Sequence, residues 1–508
     1  MTNHVVAYSR ENGGRVLILF LLFCLAIYEL LTSGFATFSV ICISPFLILA
    51  VYTIFKWRMA AFWALIVVNF FLQMKDMPLP SGIPMSLYDE MFELLLIAIA
   101  IIDARQNPHF EKCVNLMLFA ILLWFSFCTL QLLNDTCGLG IDIAAWFTSA
   151  RLMALQLVWI LLVFSIYIST PKYLLYYLRI WACLSLFSAF WTWKQKNIGF
   201  TPTEYAWLYY GPGQRTHILN GGTLIRYFST FSDAANYGCN AAAAAVSFFI
   251  IAITSKTKWE KTFFLIVSVC VIWGMFQSGT RTAIFCMAAG FMVYIVLSKS
   301  IKIAIPFGIF FTLFMGFLVF TDIGNSNQQM RRMRSAFNKE DASANVRDIN
   351  KAAIKKYLKD APWGIGMGYN PSNIPANNKY NILSNIPPDS EYVYIWVHTG
   401  IIGISVFVIC MLIMWLGACR IVMFKLQSPS LIGIGGGLCS AFIAIQLGAY
   451  ANQVLFQYPN GLTFFGGLAI VYILPYLEAD WIKYEQQRFT EQEERKRLKL
   501  EKKLAKRV

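Results

Sequence analysis

The stretch EYVYIWVHTGIIGISVFVICMLIMWLGA, residues 391–418, decides the fold class of this chain. Beyond Glu391 it contains no Asp, Glu, Lys or Arg. An α-helix of about 20 apolar residues is long enough to cross the hydrocarbon core of a bilayer, which is about 30 Å thick. We therefore predict that residues 391–418 form a transmembrane helix.

The whole chain resembles this stretch in composition. Of its 508 residues, 58% are hydrophobic and only 14% are charged. A soluble globular protein averages about 45–50% apolar and about 25% charged residues. A water-soluble enzyme with a single core is excluded because it would expose too much apolar surface, and intrinsic disorder is excluded by the same numbers. Lipid is therefore the expected surrounding of most of the chain.

Further apolar stretches predict an all-α polytopic membrane protein with about 14 transmembrane helices, within a range of 12–14. The clear candidates besides 391–418 are 16–33, 35–55, 59–72, 113–133, 144–168, 173–193, 236–254, 262–277, 282–298, 303–320, 430–451 and 461–477. A weaker candidate is 84–102, in which only Leu94–Ile102 is fully apolar.

Basic residues in the loops predict the orientation of these spans. When 84–102 is counted, alternate loops hold most of the loop lysines and arginines, and the short opposite loops hold only Lys75 and Arg281. Cytoplasmic loops are enriched in Lys and Arg. Both termini are therefore predicted to be cytoplasmic, and the long loops 194–235 and 321–390 to lie outside.

The same pattern predicts the domain organisation. Residues 1–477 are expected to form a single transmembrane domain that carries the two long outer loops. Residues 478–508, with ten basic and seven acidic residues, are expected to form a basic helical tail in the cytoplasm beside the anionic inner leaflet. Such a short segment of mixed charge is not expected to bind nucleic acid.

Arginines at the outer ends of spans are the strongest sign of a functional site. Arg281 lies at the end of one span, Arg151 about two turns inside another, and Arg226 just before a third. Charged groups at such depth are costly and usually serve a pathway or a ligand. One guanidinium group can bind two phosphate oxygens through two parallel hydrogen bonds, so a diphosphate is the expected ligand. The alternative interpretation is that these arginine side chains extend toward the lipid headgroups and bind no specific ligand.

Other signatures of enzymes are absent from the sequence. There is no P-loop, no HExxH and no nucleophile elbow. The outer loops contain no Asp-x-Asp motif, which argues against a metal-dependent transferase that uses nucleotide sugars. We predict no metal site and no cofactor. The 12 cysteines show no metal spacing and are interpreted as packing residues.

Four segments, in this order, resemble the superfamily of bacterial O-antigen ligases and O-antigen or capsule polymerases. The first is RYFSTFSDAANYG, residues 226–238, and the second is SGTRTA, residues 278–283. The third begins at Arg347 and ends in APWGIGMGY, residues 361–369. The fourth is PPDSEYVYIWVHTGIIG, residues 387–403. The similarity covers about residues 226–403, and each motif alone is weakly specific.

The resemblance implies a GT-C-like helical bundle and glycosyl transfer from a polyprenyl-diphosphate-linked glycan on the periplasmic face of the bacterial inner membrane. Ligases of the superfamily carry a His where this chain, by spacing, has Asp389, and this departure favours a polymerase. The alternative enzyme is an O-antigen ligase that transfers the glycan to lipid A-core or protein. An alternative of another class is a flippase for lipid-linked oligosaccharides. Membrane lipids are further partners, and the resemblance leaves room for a chain-length regulator.

The expected catalytic residues are Arg281, which would stabilise the departing diphosphate, and Asp389, which would act as base. Asp389 is alternatively the N-cap of the following helix. If it is a base, burial or a nearby carboxylate such as Glu391 would have to raise its pKa. The residues expected to bind the diphosphate or the glycan are Arg226, Arg347, Arg151, Asn236, Ser278, Tyr369 and His217.

Aromatic residues in the first outer loop have two interpretations. Tyr205, Trp207, Tyr209 and Tyr210 would suit either stacking against sugars or an interfacial belt. The glycines of WGIGMGY would allow either close approach to a ligand or a turn. The polar helix end that contains Asn452 and Gln457 is a further candidate edge for sugar contacts.

Overall fold

The computed structural model describes residues 13–32, 49, 52, 56–77, 84–103, 110–299, 301–326, 328–337, 342–367 and 374–505. Most of the predicted span 35–55 and the predicted site residue Tyr369 lie outside this part of the chain. The chain divides into two compact units, Met1–Phe62 and Trp63–Val508, and the site described below belongs to the second.

The described residues are almost entirely helical. The helices are α1 (Gly13–Thr32), α2 (Arg58–Phe71), α3 (Met85–Asp103), α4 (Leu116–Leu130), α5 (Ile143–Ala150), α6 (Gln156–Tyr167), α7 (Pro171–Asn197), α8 (Pro202–Tyr209), α9 (Ala234–Thr254), α10 (Lys258–Gln277), α11 (Thr282–Leu297), α12 (Ile301–Phe320), α13 (Gln328–Arg334), α14 (Ala342–Leu358), α15 (Glu391–Phe424), α16 (Pro429–Ala451) and α17 (Gly466–Ala505). Two strands, β1 (Ile218–Leu219) and β2 (Leu224–Ile225), pair antiparallel, with Ile218 opposite Ile225.

Shorter helical pieces complete the backbone. Single turns of helix occupy Phe110–Cys113, Gln131–Leu133, Gln214–His217, Asn220–Gly222, Ser335–Phe337 and Asn381–Asn385. Wider π-helical turns at Arg151–Leu155 and Gly461–Phe465 join α5 to α6 and lead into α17.

These helices confirm the prediction of an all-α polytopic membrane protein. Within the described residues, eight helical stretches are long and apolar enough to cross a membrane. The weak candidate 84–102 is helical as α3, although its buried carboxylates Asp89, Glu90 and Glu93 keep it outside that set of eight. The count of about 14 spans stays a prediction, as do the domain boundaries. The boundary expected at residue 477 falls inside the continuous helix α17.

Small residues form the centre of the bundle. Helix α9 contacts α10, α11 and α16, and its run Ala241–Ala245 is at most 1% exposed. Helix α16 contributes the four glycines of the segment Gly433–Gly437. Small side chains allow helix backbones to approach closely, and in lipid this van der Waals contact replaces the hydrophobic driving force. The alanine run and these glycines therefore allow close helix contacts at the centre of the bundle.

Helix α15 is interrupted near its outer end. Gly400 has φ +67 and ψ −171, so the helical path breaks there and resumes at once. The backbone amide of Ile365 donates to the carbonyl of Val397 at 3.0 Å, and that of Ile402 donates to the carbonyl of Pro362 at 3.2 Å. A segment of the second outer loop thus inserts its backbone into the break.

Candidate functional site

A tight turn between α10 and α11, Ser278–Arg281, is the centre of the first part of the site, and we name it the arginine turn. Gly279 within it has φ +58, a conformation that favours glycine. Arg226 binds this turn directly. Its Nε donates to the carbonyl of Ser278 at 3.2 Å and its Nη2 to Oγ1 of Thr280 at 3.1 Å, while Nη1 donates to the carbonyl of Thr216 at 3.0 Å.

Two more arginines surround the arginine turn. Nε of Arg332, on α13, donates to the carbonyl of Gly279 at 2.6 Å. Nη1 of Arg281 donates to Oγ of Ser335 at 3.2 Å. The turn therefore brings together guanidinium groups from three segments that are distant in sequence. Arg332 was not singled out from the sequence, because it is one of ten basic residues in its loop and belongs to no motif.

The pKa of Arg226 reflects the charges around it. Burial lowers the pKa of Arg226 to about 10, Asp233 opposes that shift, and the positive charges of Arg281 and Arg347 lower the pKa further. Arg226 is still protonated at neutral pH. Arg281 and Arg347 therefore both lie within electrostatic reach of Arg226.

A cleft of about 520 Å³ lies beside these arginines, between α14, α15 and the end of α16. Arg347, Lys351 and Lys355 line one wall, and Nη2 of Arg347 donates to Oδ1 of Asn452 at 3.2 Å. The opposite wall is apolar and aromatic, and it consists of Tyr392, Val393, Trp396, Ile401, Ile404 and Tyr450. Cationic residues thus meet an apolar surface within one cleft.

Asp389 lies where this cleft meets a second, polar cavity of about 370 Å³, because its side chain lines both. Nδ2 of Asn350 donates to Oδ2 of Asp389 at 2.8 Å. The polar cavity is also lined by Asp233, Asn452, Gln453 and Gln457.

The interpretation of Asp389 as a helix cap is wrong. The N-cap of α15 is Ser390, whose Oγ accepts the backbone amide of Val393 at 3.2 Å. Glu391, the next residue, turns inward, and its Oε2 accepts the backbone amide of Leu455 at 3.2 Å. The capping role therefore lies one residue after Asp389, whose carboxylate faces the two cavities instead.

Residues 266–408 match the family model described as O-antigen ligase. The match covers 143 of the 508 residues, and we call residues 266–408 the matched segment. The match confirms the predicted resemblance to the superfamily of O-antigen ligases and polymerases. No curated protein matches the chain.

The matched segment contains the arginine turn, α13, α14 and Asp389, but Arg226 and Asn452 lie outside it. Both nevertheless bind the segment directly, Arg226 through Ser278 and Asn452 through Arg347. The candidate site therefore extends beyond the matched segment on both sides in sequence. Among the residues that the structure describes, no group of three or more His, Cys, Asp or Glu is arranged to hold a metal ion.

Asn236 and Ser278 are buried residues that support the arginine turn and the start of α9. Asn236 is fully buried, and its Nδ2 donates to the carbonyl of Tyr458 at 3.0 Å while its Oδ1 accepts from Nδ2 of Asn460 at 2.6 Å. Oγ of Ser278 donates to the carbonyl of Met275 at 2.7 Å. Their predicted contacts with substrate stay untested, but each side chain makes structural hydrogen bonds.

His217 supports the start of α9. Its Nε2 accepts the backbone amide of Ala234 at 2.9 Å, and its Nδ1 lies 2.8 Å from Oγ1 of Thr216. Burial, and then the positive charge of Arg226, lower the pKa of His217 to about 3. His217 is therefore neutral at physiological pH, and both ring nitrogens have partners within the protein.

Arg151 is placed differently from the other predicted arginines. Its Nη1 forms an ion pair with Oε2 of Glu90 at 3.2 Å, and its Nη2 donates to Oγ of Ser86 at 2.9 Å. Both partners belong to α3. Arg151 therefore compensates a carboxylate inside the bundle, and this contact accounts for its depth without a ligand.

The glycines of the third motif approach the protein's own backbone. A Cβ on Gly364 would meet the backbone of His398 and Gly400, and a Cβ on Gly400 would meet Pro362 and Gly364. The backbone amide of Gly366 donates to the carbonyl of His398 at 3.0 Å, and Nδ1 of His398 lies 3.1 Å from the carbonyl of Gly366. This part of the matched segment therefore joins the long loop before α15 to α15 itself.

Proposed function

We propose that this chain polymerises polyprenyl-diphosphate-linked oligosaccharide repeat units into O-antigen or capsular polysaccharide by metal-independent glycosyl transfer. The reaction takes place at the periplasmic face of the bacterial inner membrane. One observation carries the proposal: Asp389 borders both a cleft with cationic and apolar walls and a separate polar cavity. Such an arrangement suits a lipid-linked donor on one side and a sugar acceptor on the other.

The donor fits the cleft between α14 and α15. A polyprenyl chain is apolar and suits the wall that includes Ile401, which is 58% exposed, and Ile404. The diphosphate carries negative charge and suits Arg347 and, beside it, Arg226 and Arg281. Guanidinium groups bind phosphate oxygens with fixed geometry and do not lose their charge at neutral pH.

The acceptor fits the polar cavity, where amide side chains of Asn452, Gln453 and Gln457 would bind sugar hydroxyls. The acceptor hydroxyl oxygen attacks the anomeric carbon of the donor, and its proton passes to the carboxylate of Asp389. The bond from the anomeric carbon to the phosphate oxygen breaks, and its electron pair leaves with the diphosphate. The arginines stabilise that developing charge.

Asp389 favours a polymerase over a ligase. The resemblance places a His at this position in ligases of the superfamily, and this chain carries a carboxylate there. The competing activity is O-antigen ligation, which the description of the matched family favours. Deleting the gene in its host separates them. Loss of a polymerase leaves single repeats on the surface carrier, whereas loss of a ligase leaves long chains on the polyprenyl lipid.

Arg281→Ala tests the diphosphate site. We expect polymer formation to fall by about 100-fold or more, the loss typical for removing one donor that stabilises a transition-state charge. Arg331→Ala is the matched control, because Arg331 is an exposed arginine on the neighbouring helix α13. Wild-type chain lengths in Arg281→Ala would refute the diphosphate assignment.

Asp389→Asn tests the base. Removing a general base lowers turnover by about 10²–10⁴-fold. Asp360→Asn is the control, because Asp360 lies in the same outer loop, is exposed, and pairs with Lys379 at 2.9 Å. Full activity of Asp389→Asn would remove the base assignment while leaving the arginine site intact.

A further inference from the structure

Helix α8 in the first outer loop has an inner and an outer aromatic face. On the inner face, Trp207 lies 4.7 Å from Phe228 and 4.9 Å from His217, between ring centroids, and Leu208 is fully buried beside them. On the outer face, the rings of Tyr205 and Tyr209 lie 4.4 Å apart, and those of Tyr205 and Tyr210 lie 6.1 Å apart. We name Tyr205, Tyr209 and Tyr210 the tyrosine platform.

The tyrosine platform rests on a rigid support. Thr201 and Glu204 form a capping box at the start of α8, and Oγ1 of Thr201 donates to the carboxylate of Asp76. Oε1 of Glu204 accepts from Nε1 of Trp191 and from Nε2 of Gln195, each at 2.8 Å. The helix is thus fixed by contacts on its inner side, which leaves the outer rings available for another partner.

The exposed rings contribute little to the folded core. Tyr205 is 45% exposed and Tyr210 is 82% exposed. The three side chains of the platform are uncharged, and the one carboxylate of α8, Glu204, is only 1% exposed. A neutral surface of neighbouring aromatic rings suits the C–H faces of sugars, with the phenol hydroxyls available for hydrogen bonds.

Packed aromatic residues connect the platform to the arginine site. Tyr209 and Phe200 both pack against the buried cluster of Leu208, Phe228 and Ala234. Tyr227 follows Arg226 directly in sequence, and its ring stacks on Phe200 with centroids 6.0 Å apart. One packed cluster therefore joins Tyr209 of the platform to the residue beside Arg226.

We propose that the tyrosine platform binds the glycan chain of the lipid-linked substrate, several sugars away from the diphosphate. This inference rests on the proposed function, because the glycan would extend from the arginine site along Tyr227 and Tyr209. The platform then holds a chain that has already grown, and a longer chain binds more tightly than a single repeat. The platform favours further elongation over release.

The experiment measures the binding of lipid-free oligosaccharides of one, two and four repeats, prepared from the host's own surface polysaccharide, to the full chain in detergent by calorimetry. In the wild-type chain, affinity should rise with the number of repeats. The double variant Tyr205→Ala/Tyr210→Ala should bind the four-repeat glycan about tenfold more weakly, which corresponds to about 1.4 kcal/mol. Its thermal unfolding midpoint should be unchanged, because both rings are exposed.

The matched control is Phe190→Ala/Trp193→Ala on α7. These two rings also stack, at 5.9 Å, and are 53% and 45% exposed, but they belong to a membrane span. The control should keep the dependence of affinity on chain length. Unchanged glycan binding in the tyrosine variant, or wild-type affinity that does not rise with length, would overturn the proposal in favour of an interfacial belt.

The outcome is separable from that of the proposed function. If Arg281→Ala polymerises normally but the tyrosine variant loses the length dependence, the diphosphate site is refuted and the glycan surface remains. If Arg281→Ala is inactive and the tyrosine variant binds glycans normally, the platform alone is refuted.

Discussion

Arg226 holds the arginine turn in place. It directs all three of its guanidinium nitrogens to groups of the chain, and two of the three acceptors are backbone carbonyls. Two of these bonds join Arg226 to Ser278 and Thr280 within the arginine turn. We therefore assign Arg226 mainly to holding the turn, and we propose that Arg281 and Arg347 contact the diphosphate.

His217 gives a prediction about pH. Its pKa of about 3 in the folded chain lies below its ordinary value of 6.5. Between these values the unfolded chain binds a proton that the folded chain does not, so the free energy of unfolding decreases as pH falls. From pH 7 to pH 5 the loss should be about 2 kcal/mol for this one group.

The measurement compares unfolding of the wild type and of His217→Gln in detergent at both pH values. The glutamine amide oxygen is able to accept the backbone amide of Ala234 but does not titrate, so the variant should lose less stability on acidification. Equal losses in both proteins would show that His217 is not held neutral by the fold.

Arg151 gives a prediction about charge compensation. Arg151→Ala leaves Glu90, which is only 3% exposed, without its cation, and such uncompensated buried charges cost about 3–5 kcal/mol. The double variant Arg151→Ala/Glu90→Ala should recover most of that loss in thermal unfolding. Recovery of stability without recovery of polymer formation would instead support the binding role predicted from the sequence.

The roles of these residues could be predicted only in part from the sequence. Motif spacing singled out Arg226, Arg281, Arg347 and Asp389 as candidates, and in the structure Arg281 and Arg347 both act electrostatically on Arg226. The sequence could not reveal that His217 and Arg151 have partners within the fold, because only tertiary packing brings those partners, Ala234 and Glu90, into contact with them. Arg332 was missed for the same reason.

At the scale of elements, hydropathy predicted the helices closely. The stretch 236–254 is helical as Ala234–Thr254, and 430–451 is helical as Pro429–Ala451. The break in α15 was not predicted, because Gly400 lies in an apolar run in which single glycines are common. The break depends on contacts with the segment Pro362–Gly366, which is distant from Gly400 in the sequence.

Gly400→Ala tests the importance of this break. The substitution adds a Cβ that would overlap the carbonyl oxygen of Pro362, at a φ of +67 that an L side chain rarely adopts. We expect destabilisation of well over 1 kcal/mol, since strain and overlap both act. Thermal unfolding and the yield of folded protein in detergent measure it.

Gly316→Ala on α12 is the control for that substitution. Within the described part of the chain, no atom lies within 4 Å of the Cβ it would add. Replacing a helical glycine with alanine should stabilise this helix by up to about 1 kcal/mol. Similar effects of the two substitutions would contradict the proposed tight fit at Gly400.

At the scale of the whole molecule, we expect the net charge of +15 to divide between the two sides of the membrane. In the predicted orientation, the cytoplasmic loops and the tail carry the basic excess that sets the topology. Glu260 joins the final helix α17 to α7, since it binds both Arg179 and Arg488, at 3.1 and 2.7 Å. Arg281 and Arg347 belong to the predicted outer population, which we assign to the substrate.

Labelling of introduced cysteines with a membrane-impermeant maleimide tests this orientation. Asp360 and Gln427 are both exposed and lie on opposite predicted sides. In intact spheroplasts, Asp360→Cys should react and Gln427→Cys should react only after permeabilisation, relative to the parent chain with its own cysteines. The reverse pattern would place the arginine turn in the cytoplasm and remove the proposed periplasmic chemistry.

The contact between Gly364 and Gly400 limits which substitutions the chain accepts at these two positions. Each glycine occupies the space into which a side chain on the other would project, so neither replacement is relieved by changing its partner. The two positions form one unit although 35 residues separate them in the chain. A replacement at either position is therefore expected to disrupt the backbone junction between the long loop and α15.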